Sequence, residues 1–417
     1  MSELTLTLRQ PAQIGDKARS DFVLGTQDHL PGPVVRGAFA AAWIAVHGQP
    51  SRSSPRRQEF ARLFEGGVRF GPLFAGTEVT PLSVVSHKYG DGQDCQVAEY
   101  DRAVHGDVPQ WCPDCGSPVE HRRGLRGRPV RLRRRTSVAI APSGVARRGQ
   151  IVTRDTLETG QAFRGTLLAS DPALLGLLAG LGPVRVGGRR TTHGTAEVSI
   201  GDSGPPPTAQ RRDDGRLVIR LRSPGIFTDG QGRPSRDPDP GELHDVLGGP
   251  VRVVRRWTRW QNVGGRHMAS GLPKPVELAV AAGSTYLLES EQAVPGEALA
   301  ALGARGLGLR RHEGFGDLAP SPQLRRGRRE RDAEATRLRR LWDSVAALRG
   351  AAVTHPRLWP ALAAALAGHA AGEQSAAQSL RRIAEQSDDR YITAAVSTYL
   401  GFPAPDAAYV ARELCGS

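Results

Sequence analysis

Two glycine loops that share one pattern are the feature that most constrains the fold of this 417-residue chain. The first loop spans residues 188–198, GRRTTHGTAEV, and the second spans residues 308–318, GLRRHEGFGDL. Both fit Gly-x-Arg-x-x-x-Gly-x-x-x-[Val/Leu]. Each loop follows a helix-like segment, at 172–181 or 297–304, which itself follows a strand-like segment. The same succession of strand, helix, glycine loop and strand occurs twice, which indicates a repeated supersecondary unit.

The composition of these loops suits a phosphate backbone. Glycine lets the main chain approach a ligand closely and exposes N–H groups that a side chain would screen. Arginine can grip a phosphate or stack on a base. A structural turn with a solvent-facing arginine is the alternative for one loop, but two loops favour binding. The predicted RNA contacts in the loops are Gly188, Arg189, Arg190, His193, Gly194, Gly308, Arg310, Arg311, His312, Gly314, Phe315 and Gly316.

The charge balance also favours a polyanionic partner. The chain has 56 basic and 42 acidic side chains, a net charge of +14, and almost all of the positive charge is arginine. A GC-rich genome would favour arginine over lysine whatever the function, but it does not explain the net excess. The densest run contains Arg133, Arg134 and Arg135, which are further predicted RNA contacts. Because it leads into a strand-like segment at 136–140, we expect it to lie beside a sheet.

Residues 80–130 are predicted to form an insertion with a metal site. Cys112 and Cys115 form a Cys-x-x-Cys turn, which brings two thiolates to one edge of a tetrahedron. Cys95 is the expected third ligand of a structural zinc ion. The candidates for the fourth ligand are His87, His105 and His121. The alternatives are reduced surface cysteines or a redox pair, although no βαβ pattern surrounds the motif.

Composition divides the chain into parts. Residues 201–216, GDSGPPPTAQRRDDGR, are typical of a linker. We therefore expect a first unit over 1–200, a second over 217–322, and a helical region over 323–417. Strands are predicted at 4–8 and 217–221, and helices at 38–46, 333–349, 359–371 and 376–385.

Nothing in the sequence predicts export or membrane insertion. The first 20 residues lack the basic and apolar regions of a signal peptide, and no apolar run approaches 18 residues. A Cys-x-x-Cys without a disulfide framework fits a reducing compartment. We therefore expect a cytoplasmic protein.

Several segments resemble the RAMP superfamily of CRISPR-associated proteins. Residues 306–316, GLGLRRHEGFG, and 187–194 are similar to its signature loop. Residues 30–38, LPGPVVRGA, resemble its early PGSSLRG turn, although Pro33 stands where a small hydroxyl residue is usual. With the Cys-x-x-Cys insertion and WTRW at 257–260, the chain most resembles the Csx-ten family. That family is a Cas-five-like subunit of type III-D effector complexes.

This resemblance implies an α+β fold. Each half would be a ferredoxin-like (RRM-like) βαββαβ unit, with a zinc-knuckle-like insertion in the first and a helical region at the C-terminus. The resemblance also implies binding of crRNA, at its 5′ handle, and docking to a Cas-ten-like large subunit and Cas-seven-like backbone subunits. Any interaction of the chain with target RNA would be indirect. Arg36, in the early turn, and Trp257 and Trp260 complete the predicted RNA contacts. The helical region is interpreted as a packing appendage rather than a small-subunit-like bundle.

A RAMP-type endoribonuclease, which processes crRNA or cleaves target RNA, is the alternative function. Such an enzyme uses a histidine as general acid or base, or a loop aspartate. The candidates are His29, His47, His193, His312, Asp21 and Asp28. Their spacing defines no partnered acid and base, so we predict a structural RNA-binding subunit and assign no catalytic residue.

Overall fold

A computed structural model describes residues 2–20, 23–88, 95, 98–106, 111–112, 117–121, 124–188, 192–202, 204–205, 208–265, 272–324, 328–387 and 389–415. All described strands, and the helices before residue 325, fall in one unit, and the later helices fall in a second. Within these residues, no helix combines the length and apolar character needed to cross a bilayer.

The first half of the strand-containing unit begins with three strands and a long helix. Its elements in chain order are β1 (Ser2–Leu8), β2 (Gly15–Ser20), β3 (Val23–Thr26), α1 (Gly32–His47), α2 (Arg57–Phe64), β4 (Val68–Phe70), β5 (Thr77–Val79), β6 (Val84–His87), β7 (Glu99–Asp101), α3 (Arg102–His105), β8 (Val119–His121), β9 (Leu125–Gly127), β10 (Leu132–Ile140), β11 (Ala146–Leu157), β12 (Ala162–Ala169), α4 (Ala173–Ala179), β13 (Val184–Arg185) and β14 (Thr195–Asp202). The predicted strand at 4–8 and helix at 172–181 are confirmed. Helix α1 starts earlier than predicted, because Pro33 lies in its first turn, where a missing N–H costs no helical hydrogen bond.

A five-stranded antiparallel sheet forms the core of this half, in the order β13-β14-β1-β12-β4. Strand β1 alternates between buried and less buried residues, so Leu4, Leu6 and Leu8 all point to one face. Their cluster includes Phe39 and Trp43 of α1, both fully or almost fully buried. The alternation of LTLTL therefore fixes which face of the sheet the helix covers.

A long antiparallel hairpin, β10–β11, extends a second sheet in the order β10-β11-β3-β2. Every residue of β10 is exposed. The arginine run was expected beside a sheet, but it forms part of strand β10 itself. Residues 132–138 pair continuously with β11, and the register shifts only between Val138 and Ile140, so no boundary separates the run from the segment that follows it.

The insertion contains a small three-stranded sheet in the order β7-β6-β8. Strand β6 pairs antiparallel with β7 and with β8. Nearby, β5 pairs with β9. The insertion thus has backbone structure of its own.

The second half repeats the mixture of strands and helices. Its elements are β15 (Gln210–Arg211), β16 (Leu217–Arg220), β17 (Phe227–Thr228), β18 (Pro234–Ser235), α5 (Pro240–Leu247), β19 (Val251–Trp257), β20 (Trp260–Val263), β21 (Glu277–Val280), β22 (Thr285–Ser290), α6 (Gly296–Arg305) and a 3₁₀ turn (Arg311–Glu313). The predicted strand at 217–221 and helix at 297–304 are confirmed. The sheet order is β15-β16-β22-β19, and Leu221 adds an isolated bridge to Leu318. Tyr286 and Leu302 lie at the centre of its core.

Buried ion pairs join the two halves. Arg69 of β4 donates to Asp317 across 2.6 Å, with side chains 9% and 4% exposed. Arg220 of β16 donates to Asp101 of β7 across 2.7 Å, with both side chains still less exposed. Such pairs form only where each charge finds its partner, since a lone buried charge is costly. The two halves therefore meet through a specific, charged interface.

The second unit is helical, as predicted. It contains α7 (Arg328–Thr354), α8 (Trp359–Ala370), α9 (Ala376–Gln386), α10 (Arg390–Leu400) and α11 (Ala404–Cys415). Its core includes Leu348, Leu366 and Tyr399. The Tyr399 hydroxyl donates to the carbonyl of Leu366 across 2.9 Å, so this buried hydroxyl has a hydrogen-bond partner.

Candidate nucleic-acid interface

The two glycine loops have the same backbone construction. In the first, the Val186 N–H donates to the Gly194 carbonyl across 2.9 Å. In the second, the Leu307 N–H donates to the Gly316 carbonyl across 2.9 Å. Each closing glycine also donates its own N–H to a proline carbonyl, Pro11 for the first loop and Pro224 for the second. The internal repeat seen in the sequence is thus a repeat of hydrogen bonding.

The closing glycines cannot be replaced without strain. Gly194 and Gly316 have φ values of 85° and 65°, in the left-handed region. A Cβ atom would lie 2.0 Å from the Val186 oxygen at the first and 1.7 Å from the Leu307 oxygen at the second. These contacts explain why both loops end on glycine.

The loop register differs from that expected. The N–H groups of Gly188 and Leu309 donate to the carbonyls of Gln13 and Ile226, so Gly188 corresponds to Leu309. The sequence pattern instead paired Gly188 with Gly308, and Gly194 with Gly314, and both pairings are wrong. The second loop is one residue longer, and a fixed spacing cannot accommodate that difference.

A groove of about 130 Å³ lies between the hairpin and the first loop. It is lined by Pro11, Gln13, Arg133, Arg135, Ser137, Arg154, Thr156 and His193. Residues 133, 135 and 137 alternate along β10 and therefore share one face of the strand. Arg154 and Thr156 of β11 stand opposite Arg135 and Arg133. We call this surface the arginine groove.

Arg134 faces away from the arginine groove. Its guanidinium donates two hydrogen bonds to Asp155, across 2.8 and 3.0 Å. Within the described ranges, no carboxylate lies within ion-pair distance of Arg133 or Arg135. One face of β10 is thus neutralised internally, and the other presents positive charge to solvent.

The first loop contributes His193 to the arginine groove. Its Nδ1 lies 2.7 Å from the Thr192 hydroxyl, which fixes the orientation of the ring. Arg189 and Arg190, predicted as RNA contacts, lie outside the described residues. The loop therefore contributes a histidine beside Arg133 and Arg135, for which the described part of the chain provides no carboxylate partner.

Sequence reasoning missed part of this groove. Gln13, Ser137, Arg154 and Thr156 were not predicted to contact RNA. The available signal was the hairpin itself: Pro-Ser-Gly at 142–144 between two strand-like runs would have set Arg154 opposite Arg135.

The arginines of the second loop are paired within the protein. Arg310 has φ 54°, lies over the Phe315 ring at 4.8 Å, and donates to Glu277 and, across 2.8 Å, to Glu313. Arg311 donates to Glu242 across 3.0 Å. Glu242 also accepts the Gly308 N–H across 2.8 Å. The arginines of this loop, which the sequence predicted to bind RNA, thus form ion pairs with acidic side chains of the protein.

Glu313 is the centre of this second network. Burial works to raise the pKa of Glu313, but the Arg310 hydrogen bond and the charges of Arg310, Lys274 and Arg36 outweigh it, and the pKa is lowered. Lys274 lies 3.2 Å from the carboxylate. The neighbouring His312 has a lowered pKa, first because of burial and then because of Arg36.

The remaining predicted contacts lie in packed surroundings. The Arg36 Nε donates to the Phe64 carbonyl across 2.7 Å, and burial lowers the pKa of Arg36. Trp257 packs against a small apolar cluster and Trp260 against the core of the second half. Arg255 and Arg236 lie over their rings at 5.1 and 5.2 Å. These rings already have partners inside the protein.

The nuclease candidates are dispersed. His29 stacks on Phe74, and its Nδ1 lies 3.1 Å from Asp28. The hydrogen bond from His29 lowers the pKa of Asp28. His47 contacts Arg56. Asp21 lies outside the described residues.

The predicted metal ligands Cys95 and Cys112 are buried, as is the candidate histidine His87 at the end of β6. Cys95 belongs to the second unit, and His87 and Cys112 belong to the first. Cys115 lies outside the described residues. His105 and His121 are engaged elsewhere: the first with the backbone of Asp101, the second with the Leu82 carbonyl and Arg102.

Comparison with known proteins gives one family match. Residues 171–319 match the family described as CRISPR-associated protein (Cas_Cmr3). This span includes both glycine loops and is shorter than half of the chain. No curated protein matches the sequence significantly.

Several solved structures are similar in fold. A chain of the type III-B Cmr-beta complex bound to cognate target RNA is 10% identical, with TM-score 0.43 over 78% of this chain and 99% of that one. A chain of the Csm3-Csm4 subcomplex of a type III-A interference complex is 10% identical, with TM-score 0.33 over 71% and 96%. The product of a Cas6-related gene from Pyrococcus furiosus is 8% identical, with TM-score 0.32 over 77% and 98%.

Proposed function

We propose that this chain is a crRNA-binding structural subunit of a type III CRISPR effector complex. The observation that carries the proposal is the arginine groove, where Arg133 and Arg135 face solvent without a carboxylate partner in the described residues. Single-stranded RNA offers successive phosphates, and arginine binds them in a planar, two-pronged geometry. The match of residues 171–319 to a CRISPR-associated family supports the same conclusion.

The finer proposal is a Cas-five-like, Csx-ten-type subunit that holds the crRNA 5′ handle. In the first half, the order β14-β1-β12-β4 is the 4-1-3-2 order of a βαββαβ unit, with α1 and α4 as its crossovers. In the second half, β16-β22-β19 gives the 1-3-2 part, and the bridge from Leu221 to Leu318 stands where the fourth strand would pair. This topology supports two ferredoxin-like units. The proposed protein partners are a Cas-ten-like large subunit and Cas-seven-like backbone subunits, which would place target RNA nearby.

The two glycine loops have different proposed roles. The first loop borders the arginine groove and would contact RNA through His193 and its backbone. The second loop has its arginines bound to Glu242, Glu277 and Glu313, so it would brace the fold and offer RNA mainly its backbone. Arg310→Ala would then act through stability more than through a lost phosphate contact.

Recovery of bound RNA from cells tests the proposal. The full chain would be purified from cells that express a CRISPR array and the neighbouring effector genes, and the bound RNA sequenced. We expect enrichment of crRNA, and its loss in Arg133→Ala/Arg135→Ala. Arg57→Ala is the control, since Arg57 is an exposed arginine on α2 outside the groove. Enrichment that is equal in all three proteins would contradict the proposal.

The scaffold role is tested by target-RNA cleavage in the assembled complex. We expect substitution of His29, His193 or His312 to leave the amount of cleavage per bound crRNA unchanged, because RNA is held here and cut elsewhere. If one of these variants abolished cleavage while crRNA still bound normally, the nuclease alternative would replace ours.

A further inference from the structure

The segment that follows β1 holds the first glycine loop. The Pro11 carbonyl accepts the N–H of Gly194, and the Gln13 carbonyl accepts the N–H of Gly188, each across 2.9 Å. Pro11 and Gln13 also line the arginine groove. The loop wall of the groove is therefore bonded to this segment at two points.

The same segment holds one strand of the hairpin. Ala12 exchanges two backbone hydrogen bonds with Leu157, the last residue of β11, across 3.1 and 2.8 Å. Strand β10, which carries Arg133 and Arg135, is the edge strand of its sheet, and β11 is its one neighbour among the described strands. The position of β10 therefore depends on β11 and on whatever holds the start of β10.

The Gln161 side chain holds the start of β10. Its Oε1 accepts the N–H of Arg131 across 2.7 Å, and its Nε2 donates to the Arg131 carbonyl across 3.0 Å. The same Nε2 donates to the Glu158 carbonyl, also across 3.0 Å. The amide thus pairs with Arg131 as the backbone of a neighbouring strand would, directly before the ladder begins at Leu132 and Leu157.

Gln161 is itself held by the five-stranded sheet. Its carbonyl accepts the N–H of Leu8 across 3.0 Å, and the preceding Gly160 donates its N–H to the Leu8 carbonyl across 2.8 Å. Gln161 is 8% exposed and immediately precedes β12, which pairs with β1. The side chain therefore joins the strand that carries the arginines to the core of the first half.

We propose that Gln161 is a positioning residue for RNA, which sets the direction of β10 and thereby the distance from Arg133 and Arg135 to the first loop. The inference rests on the proposed function, because it concerns the same groove. A strand rises about 3.3 Å per residue, so Arg135 lies about 13 Å along the strand from Arg131. A tilt of about 10° at the start of the strand would displace it by about 2 Å, enough to break a hydrogen bond to a phosphate. Gln161 does not touch RNA itself, since its amide is buried and bonded to the protein.

RNA binding by the full chain in Gln161→Leu tests the proposal. Arg131 is exposed, so water can pair with its backbone when the amide is removed, and the variant should fold. The probe is a fluorescent single-stranded RNA, measured by anisotropy at several salt concentrations. We expect the affinity at 50 mM salt to fall about tenfold, and the slope of log K against log salt to fall by about 0.7–1.4, for one or two lost phosphate contacts. The control is Gln210→Leu, which removes the acceptor of Arg220 and Ser321 in the second half and should leave both quantities unchanged.

A double-mutant cycle separates positioning from a general loss of stability. When Gln161→Leu is added to Arg133→Ala/Arg135→Ala, we expect no further loss of affinity, because the side chains through which Gln161 acts are already gone. Gln161→Glu keeps the acceptor for the Arg131 N–H and loses the donated bonds. It covers the case in which Gln161→Leu does not fold, and should give a smaller loss that also vanishes in the double-arginine background.

Three results would overturn the role of Gln161. They are full affinity in Gln161→Leu, equal losses in Gln161→Leu and Gln210→Leu, and additive losses in the cycle. Failure of the proposed function gives a different result. If Arg133→Ala/Arg135→Ala bound RNA as the unsubstituted chain does, the arginine groove would not be the RNA site, and both proposals would fall together.

Discussion

Replacing Arg133 and Arg135 together by alanine should change the salt dependence of RNA binding by a calculable amount. Each phosphate contact on a single strand contributes about 0.7 to the slope of log K against log salt. Removal of two contacts should therefore lower the slope by about 1.4. When salt is raised fourfold, from 50 to 200 mM, the affinity of the unsubstituted chain should fall by a factor that is about seven times larger than the fall for the double variant. Fluorescence anisotropy with a labelled single-stranded RNA at several salt concentrations would measure both slopes.

The control is again Arg57→Ala, which removes a positive charge from α2 and no groove contact. Its slope should equal that of the unsubstituted chain, because only charges that displace counterions from RNA affect it. If the double variant kept the full slope, or if Arg57→Ala lost as much per charge removed, binding would be a general effect of the net charge of +14. The arginine groove would then not be the RNA site.

Three further predictions concern the fold. Asp317→Asn should lower the free energy of unfolding by about 3–5 kcal/mol in chemical denaturation, since it leaves Arg69 buried without an anion. The control is Asp171→Asn, in an exposed pair, which should lower it by under about 1 kcal/mol. Equal effects of the two substitutions would contradict this prediction. Gly316→Ala should cost roughly 3 kcal/mol or more in the same assay, whereas Gly350→Ala, in open space on α7, should be neutral or stabilising; a Gly316→Ala protein of normal stability would refute the loop geometry. Because the pKa of Glu313 is lowered in the folded state, its ionised carboxylate stabilises the fold at pH values above its unfolded pKa of about 4.3. This stabilisation is lost as the pH falls through the lower pKa of the folded state. Thermal unfolding below about pH 5 should therefore depend less steeply on pH in Glu313→Gln, and identical profiles would contradict the network.

The sequence predicted the elements whose signals are local. The alternation in LTLTL specified β1 and its buried face, and helical spacing after residue 325 specified the second unit. The repeat was visible because glycine is required where a Cβ atom would meet a carbonyl oxygen. Its exact register was not visible, since one loop is a residue longer and only the hydrogen bonds show which positions correspond.

Long-range pairing limited the prediction of the site. Arg310 matched the motif, yet its carboxylate partner Glu277 lies 33 positions away, and sequence cannot show that the two meet. Arg133, Arg134 and Arg135 were treated as equivalent, but a strand sends neighbours to opposite faces, so only two of them line the groove.

The charged contact between the two halves restricts how such a chain can change over evolution. Arg69 and Arg220 belong to different halves, and each finds its buried carboxylate across the boundary. Gly32 likewise has no room for a side chain, because the backbone of Gly314 and Phe70 lies against it. A gene split within 201–216 would therefore separate each of these arginines from the carboxylate that it meets across the boundary. Lengthening of the β10–β11 hairpin would disturb none of these contacts, so sequence drift and new binding specificity should accumulate there while the two repeats stay fused.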